Sequence, residues 1–224
     1  RIIIAQDGDV IEINNNETPI MDGSAKVLTE KIAQAGIKEL DAYKQYYTIS
    51  EPVSYVSGNT KITAYPSDKF EIDCTIGFDH PYLSHQQAAF TINRESFLKE
   101  IAPSRTFCFD YEIEALHANG LAKGGSLDNA ILIGIDGIHN KEPLRYKDEF
   151  VRHKILDLIG DLALAGHGIK AKITAEKPGH KSNVNFVKEF IKKAVLKKDE
   201  DTSEDAMDTS NTQERIINSA EIQK

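Results

Sequence analysis

The sequence predicts an α+β fold, on three observations. Residues 45–78 alternate apolar and polar side chains in short runs separated by turn residues, which is the pattern of sheet. Residues 148–165 instead repeat apolar side chains at helical spacing, and an alternating run at 169–175 follows them directly. Strands and helices then succeed one another as far as Leu196, so the sheet is expected to carry its helices on one side.

Each element has a local reason. Val10-Ile11-Glu12-Ile13 reads as a short strand, and Pro19 to Ser24 as a turn around Asp22-Gly23. Ser24 is placed to cap a helix over 25–35, which Gly36 stops. Strands are expected at 46–49, 53–56, 61–65 and 70–76 of an antiparallel sheet, with turns at 57–59 and 66–68. A strand at 89–92, a helix at 94–101 and an aromatic segment at 106–109 come next. A helix at 112–118 closes on Asn119-Gly120, and a strand at 130–135 follows Gly124-Gly125-Ser126. The long helix ends at Gly166-His167-Gly168, and a last helix covers 183–196. From Lys197 the chain is charged and hydroxylated with almost nothing to bury, so 197–224 is expected to be an acidic, disordered linker.

Composition excludes several classes. The hydrophobic share of 40% and charged share of 28% are those of an ordinary globular protein. No apolar run reaches spanning length, which argues against stable membrane insertion. A net charge of −8 argues against non-specific nucleic-acid binding. Cys74 and Cys108 make no disulfide framework, so a reducing cytoplasm is the expected location.

Residues 150–161 carry the strongest chemical signal. His153, Asp157 and Asp161 recur at i, i+4 and i+8, on one helix face with Lys154 beside them. Ile155, Leu156, Ile159 and Leu162 point toward a core. A His and a carboxylate one turn apart suit a shared metal ion, but a solvated amphipathic face shows the same stripe. His180, after the strand at 169–175, is expected on a loop after this helix–strand unit, where catalytic residues tend to sit.

Six motifs then set a wider pattern: Pro-Ile-Met-Asp-Gly-Ser-Ala (19–25), Gly-Phe-Asp-His-Pro (77–81), Arg-Thr-Phe-Cys-Phe (105–109), Gly-Gly-Ser-Leu-Asp-Asn-Ala (124–130), Leu-Arg-Tyr-Lys-Asp-Glu-Phe-Val-Arg-His-Lys-Ile-Leu-Asp (144–157) and Lys-Pro-Gly-His (177–180). In this order they resemble the zinc-dependent UDP-3-O-acyl-N-acetylglucosamine deacetylase family of lipid A synthesis, LpxC, from about Val10 to Leu196. The resemblance implies two-layer α/β sandwich units: a partial first unit over 1–43, and a complete second unit over 44–196 with a βαβ insert at about 108–135.

It also implies roles. His153 and Asp157 are expected to bind Zn2+, and Asp161 to orient His180, which stabilises the tetrahedral intermediate and protonates the leaving amine. Thr106 is expected to donate to the developing oxyanion and Lys154 to line the substrate. Phe107, Ile113, Gly125, Ser126 and Ala130 are expected along the acyl passage, Phe78 at the nucleotide end, and Lys61 and Lys177 at the phosphates of the UDP-acyl-sugar. These assignments are chemically coherent, because amide hydrolysis needs an activated water, a stabilised oxyanion and a proton for the amine.

The sequence departs from the family pattern in one important respect. The Glu-His pair that supplies the family's general base and third zinc ligand falls upstream of the position matched by Val10, and no such pair occurs here. The expectation is a piece of a longer enzyme, with a fused hydroxyacyl-carrier-protein dehydratase following the acidic linker. The alternative is a non-catalytic remnant that binds the nucleotide sugar or acyl chain.

Overall fold

The computed structural model describes residues 2–6, 9–13, 18–36, 42–120, 124–140 and 142–198. The fold is organised by β11 (Gly168–Glu176). Its Ile169, Ala171, Ile173 and Ala175 are buried and alternate with polar residues, the two-residue period of a strand with one wet face. Along Ala171–Glu176 it pairs antiparallel with β5 (Thr60–Pro66) on one side and parallel with β6 (Phe70–Ile76) on the other. β4 (Val53–Ser57) continues the sheet beyond β5, and β7 (Gln86–Thr91) beyond β6. β3 (Gln45–Thr48) joins the first residues of β11 in parallel, and β12 (Val195–Lys198) pairs antiparallel with β3.

The expected antiparallel sheet is therefore a mixed one. Alternation reports which face is buried but not which way a strand runs, and β11 arrives from a helix rather than a hairpin. β12 is a second difference. The last helix is α5 (His180–Lys193), displaced from the expected 183–196, and Lys197 and Lys198 belong to a strand rather than to a linker. Residues 199–224, with the rest of the expected linker and the approach to a fused domain, lie outside the described residues.

One layer of helix covers the sheet. α4 (Glu149–Leu162) lies over β6 and β7, α5 lies over β4 and β5, and the two helices touch. The stripe of α4 that enters the core is Val151, Ile155, Leu158 and Leu162. Leu156 and Ile159, expected on that face, pack half-buried at its margin. A short 3₁₀ turn at Ala163–Ala165 and the left-handed Gly166 end the helix where the sequence placed its stop. Phe186 and Phe190 of α5 are fully buried between the layers. Phe186→Ala is expected to cost about 3–5 kcal/mol in denaturant unfolding, through lost burial and the cavity it leaves.

Among the described residues of the N-terminal part, β1 (Ile2–Gln6) and β2 (Asp9–Ile13) form an antiparallel pair, and α1 (Lys26–Ala35) buries no residue. The Ser24 hydroxyl accepts from the Lys26 amide at 3.2 Å, one position ahead of the helix boundary. What binds this segment to the sheet unit is its turn. The Arg145 guanidinium donates to Asp22 at 2.7 Å and to the Pro103 carbonyl at 2.7 Å. Gly23 has φ +82 and packs so closely that an added Cβ would lie 2.1 Å from the Asn129 carbonyl oxygen, so only glycine fits.

Burial alone would raise the Asp22 carboxyl, but Arg145 and Ser24 together outweigh it and hold it below the ordinary value. A depressed carboxylate stabilises the fold above its unfolded pKa of about 3.9, and that stability is lost as pH falls through the folded value. Asp22→Asn is accordingly expected to flatten the acid limb of stability against pH, as read by thermal melts.

α2 (Arg94–Ser96) runs into a wide π turn at Phe97–Ile101, covering the helix expected at 94–101. β8 (Phe107–Phe109) and β9 (Ile131–Gly134) are parallel, with α3 (Ile113–Ala118) between them in sequence, and β10 (Gly137–Ile138) pairs with β9. This β8–α3–β9 passage occupies the range of the expected insert.

Candidate active site

α4 carries His153, Lys154, Asp157 and Asp161 down one side, as their spacing predicts. His153 is buried, and its Nδ1 lies 3.0 Å from the Ser104 carbonyl oxygen. A carbonyl can only accept, so Nδ1 carries the hydrogen and Nε2 keeps its lone pair. That Nε2 faces Asp157 Oδ1 at 3.4 Å, while Lys154 Nζ donates to the other oxygen, Oδ2, at 3.0 Å. Burial, the largest influence, pushes the His153 imidazole below its ordinary value, against the opposing pull of Asp157 and Ser104. Burial therefore favours the neutral ring.

The Nε2 lone pair thus faces a carboxylate oxygen. That donor pair suits a cation. A tetrahedral zinc with ligands at about 2.0–2.1 Å has ligand-to-ligand edges of about 3.3–3.4 Å, which the observed separation matches. Among the described residues, no group of three or more His, Cys, Asp or Glu side chains could hold a metal ion together. Cys74 lies in the field of Lys154 and Asp157, but burial pushes its thiol up to about 12, which disfavours the thiolate a metal requires.

Further down the helix, Asp161 Oδ2 accepts from His180 Nδ1 at 2.9 Å and from Asn183 Nδ2 at 2.8 Å. His180 was expected on a loop; it is the first residue of α5. Gly179, extended at φ −159, supplies the turn into the helix. The His180 side chain remains 69% exposed while its partner Asp161 is 16% exposed, so the imidazole stands at the mouth of the site on a half-buried support. His180 lies within electrostatic reach of His153.

Thr106 is half-buried just ahead of β8. Its amide donates to the Gly23 carbonyl at 2.8 Å, and its own carbonyl accepts from Ile131 at 2.8 Å. Phe107 stands edge-on to the His153 ring at 6.4 Å, with Lys154 Nζ 5.6 Å from its centre. Phe78 packs edge-on against Phe107 and Phe109, half-buried in this aromatic cluster. Ile113, which opens α3, and Ala130, ahead of β9, are half-buried; Gly125 and Ser126 are exposed on the loop that Asn129 ties together.

Lys177 lines a cleft of about 340 Å³ with Tyr55, Ser57, Thr60, Gly179, His180, Lys181 and Ser182. Its backbone is left-handed at φ +48, held by Thr75 and by the Thr60 hydroxyl. Lys61 is exposed on β5, opposite Glu176. The structure thus gathers His153, Lys154, Asp157, Asp161 and His180 with the Thr106–Phe107 segment, and sets Lys177 on the same cleft as His180. Lys181 and Asn183 were missed by the sequence reading. Both lie in the first turn of a helix that was expected to begin later.

The described residues thus form a two-layer sheet-and-helix unit with a βαβ passage and a His-Asp pair on its long helix, and comparison with known proteins specifies the family. Residues 5–192 match the family model LpxC, UDP-3-O-acyl N-acetylglycosamine deacetylase, and the chain belongs to that family. It is 43% identical over 184 residues to the UDP-3-O-acyl-N-acetylglucosamine deacetylase of Syntrophotalea carbinolica, covering 82% of this chain and 60% of that one. It is 45% identical over 184 residues to that of Geotalea uraniireducens, with 82% and 60% coverage. It is 45% identical over 181 residues to that of Thermodesulfovibrio yellowstonii, with 81% and 62% coverage. The chain spans about 60% of the length of such curated relatives.

Proposed function

We propose that this chain provides the zinc-binding helix and proton-donating half of a UDP-3-O-acyl-N-acetylglucosamine deacetylase, the amidase that removes an N-acetyl group in lipid A synthesis. The observation that carries the reading is His153 Nε2, left free by the Nδ1 contact with Ser104, facing Asp157 at 3.4 Å beside the Asp161–His180 pair at 2.9 Å. His153 and Asp157 hold the metal. A bound zinc supplies Lewis acidity, which lowers the pKa of water to about 7 and polarises an amide carbonyl.

The remaining chemistry belongs to side chains of this chain. Lys154 restrains Asp157 by binding its second oxygen. The Thr106 hydroxyl donates to the oxygen on which negative charge develops. His180, protonated, releases its Nε2 proton to the departing amine, while Asp161 fixes Nδ1 as the inward nitrogen. Lys61, Lys177 and Lys181 supply positive charge for a diphosphate, and Phe78 packs at the nucleotide end. Phe107, Ile113, Ala130 and the loop at Gly125 and Ser126 border the acyl chain. No helix among the described residues is long and apolar enough to cross a membrane. Cys74 and Cys108 are both free thiols, which fits a reducing cytoplasm as the place of the reaction.

The test is zinc content by metal analysis together with acetate release from the UDP-acyl-sugar by the full-length enzyme that carries this chain. Near-stoichiometric zinc with acetate release supports the reading; a folded protein that takes up no zinc and leaves the acetyl group in place contradicts it. A second reading rests on the pair of metal donors standing without a third among the described residues. In that case the chain binds the nucleotide sugar without hydrolysing it, and titration with UDP gives saturable binding but no acetate.

A further inference from the structure

Glu149 is fully buried, one helical turn ahead of His153 on α4. An acidic residue in a first turn ordinarily sits in solvent and complements the helix dipole. This one faces inward. Its Oε1 accepts from the Arg105 amide at 3.0 Å and Arg105 Nε at 2.9 Å. Its Oε2 accepts from Arg105 Nη2 at 3.2 Å and the Arg145 amide at 2.6 Å. A carboxylate offers about four lone-pair sites, so this one is filled by these two residues.

The contacts converge on a short piece of backbone. Glu149 holds the amide of Arg105, and Arg145, whose own amide Glu149 holds, grips the carbonyl of Pro103 at 2.7 Å. Ser104 lies between them, fully buried, and its hydroxyl finds no hydrogen-bond partner among the described residues. The anchored group at Ser104 is therefore its carbonyl, which meets His153 Nδ1 at 3.0 Å. α4 thus touches the 103–106 segment twice, through Glu149 and through His153. The Ser104 amide also donates to the Ile101 carbonyl at 3.0 Å, so the segment is held from both sides of the carbonyl that His153 meets.

We propose that Glu149 is a positioning residue for the metal site: through Arg105 and Arg145 it holds the Ser104 carbonyl against His153, and so keeps the His153 Nε2 lone pair turned toward Asp157. The inference rests on the reading of His153 as a zinc ligand for its purpose, but not for its geometry. Hydrogen-bond partners beyond the metal's own ligands orient those ligands, and their loss typically weakens metal binding about 10–100-fold. Glu149→Gln is a stringent probe. It keeps the size of the side chain, yet replaces one acceptor oxygen with an NH₂ group that meets the N–H donors of Arg105 or Arg145 head-on.

The experiment is long-range ¹H–¹⁵N correlation NMR of the histidine rings in the metal-free full chain at about pH 8, where imidazoles are neutral. The His153 signal is assigned by its loss in His153→Ala. The wild type is expected to show a single Nδ1–H tautomer. E149Q is expected to show both tautomers, with zinc affinity about 10–100-fold weaker by competition with a chelating dye. E149D, which keeps the charge on a shorter arm, is the second variant and is expected to give the same mixed signal. A single Nδ1–H tautomer in both variants overturns the inference, whatever their zinc affinity. Absence of zinc binding in the wild type overturns the proposed function instead, and leaves the tautomer comparison to decide the role of Glu149.

Discussion

His153→Ala is expected to lower zinc affinity by more than about 100-fold, beyond the upper end of what loss of an outer hydrogen-bond partner alone produces. The reason is that the substitution removes the lone pair itself. His153 is buried, its Nδ1 is committed to Ser104, and the neighbouring Asp157 has one oxygen occupied by Lys154. No second imidazole among the described residues stands ready to replace it, since none gathers with Asp157 into a larger donor group. Isothermal titration with zinc measures the loss, and circular dichroism establishes that the fold persists.

The same environment sets the pH dependence. Because burial holds the His153 pKa below 6.5, the folded ring stays neutral as pH falls through 6.5, and zinc binding is expected to persist there and fail only at lower pH. In the metal-free protein the sign for stability follows from the same shift. The unfolded chain protonates first, so stability declines as pH falls below about 6.5 and levels off below the folded pKa.

The second large effect is expected at His180. His180→Gln should reduce kcat for deacetylation by about 10²–10⁴-fold, the usual contribution of a positioned general acid. KM should change little, because a proton passed to the leaving amine is an interaction made in the transition state. Glutamine retains a donor for Asp161 but has no proton to release. Asp161→Asn should lower kcat in the same direction by a smaller factor. The carboxylate oxygen that accepts from His180 Nδ1 at 2.9 Å would become an amide that must also satisfy Asn183. Steady-state kinetics on both variants, with zinc content matched to wild type, separates loss of proton transfer from loss of metal.

The site was legible in the sequence where one element carried it. His153, Lys154, Asp157 and Asp161 share a helix, and a period of 3.6 residues puts them together without any knowledge of the fold. His180 is different. Its partnership with Asp161 spans two elements, and only its family resemblance pointed to it. Its place at a helix start rather than in a loop follows from Gly179 and Ser182, which close a cap by hydrogen bonds that propensity alone did not single out.

Glu149 lay inside a recognised motif yet carried no signal, because burial of a charged residue at a helix N-terminus depends on which arginines meet it. β12 was hidden for a similar reason. Val195-Leu196-Lys197-Lys198 is exposed throughout and gains its strand conformation from pairing with β3. Strand direction in the sheet depended on the α4–β11 connection, about which the alternating runs of 45–76 say nothing.

A zinc ion between His153 and Asp157 is an observable object. It is sought most directly by anomalous diffraction from crystals of the full chain grown with zinc, with data collected on both sides of the zinc absorption edge. An edge-dependent peak is expected within about 2.0–2.2 Å of both His153 Nε2 and an Asp157 oxygen. A map with no peak between these side chains, or with zinc bound only elsewhere on the molecule, would contradict the zinc site.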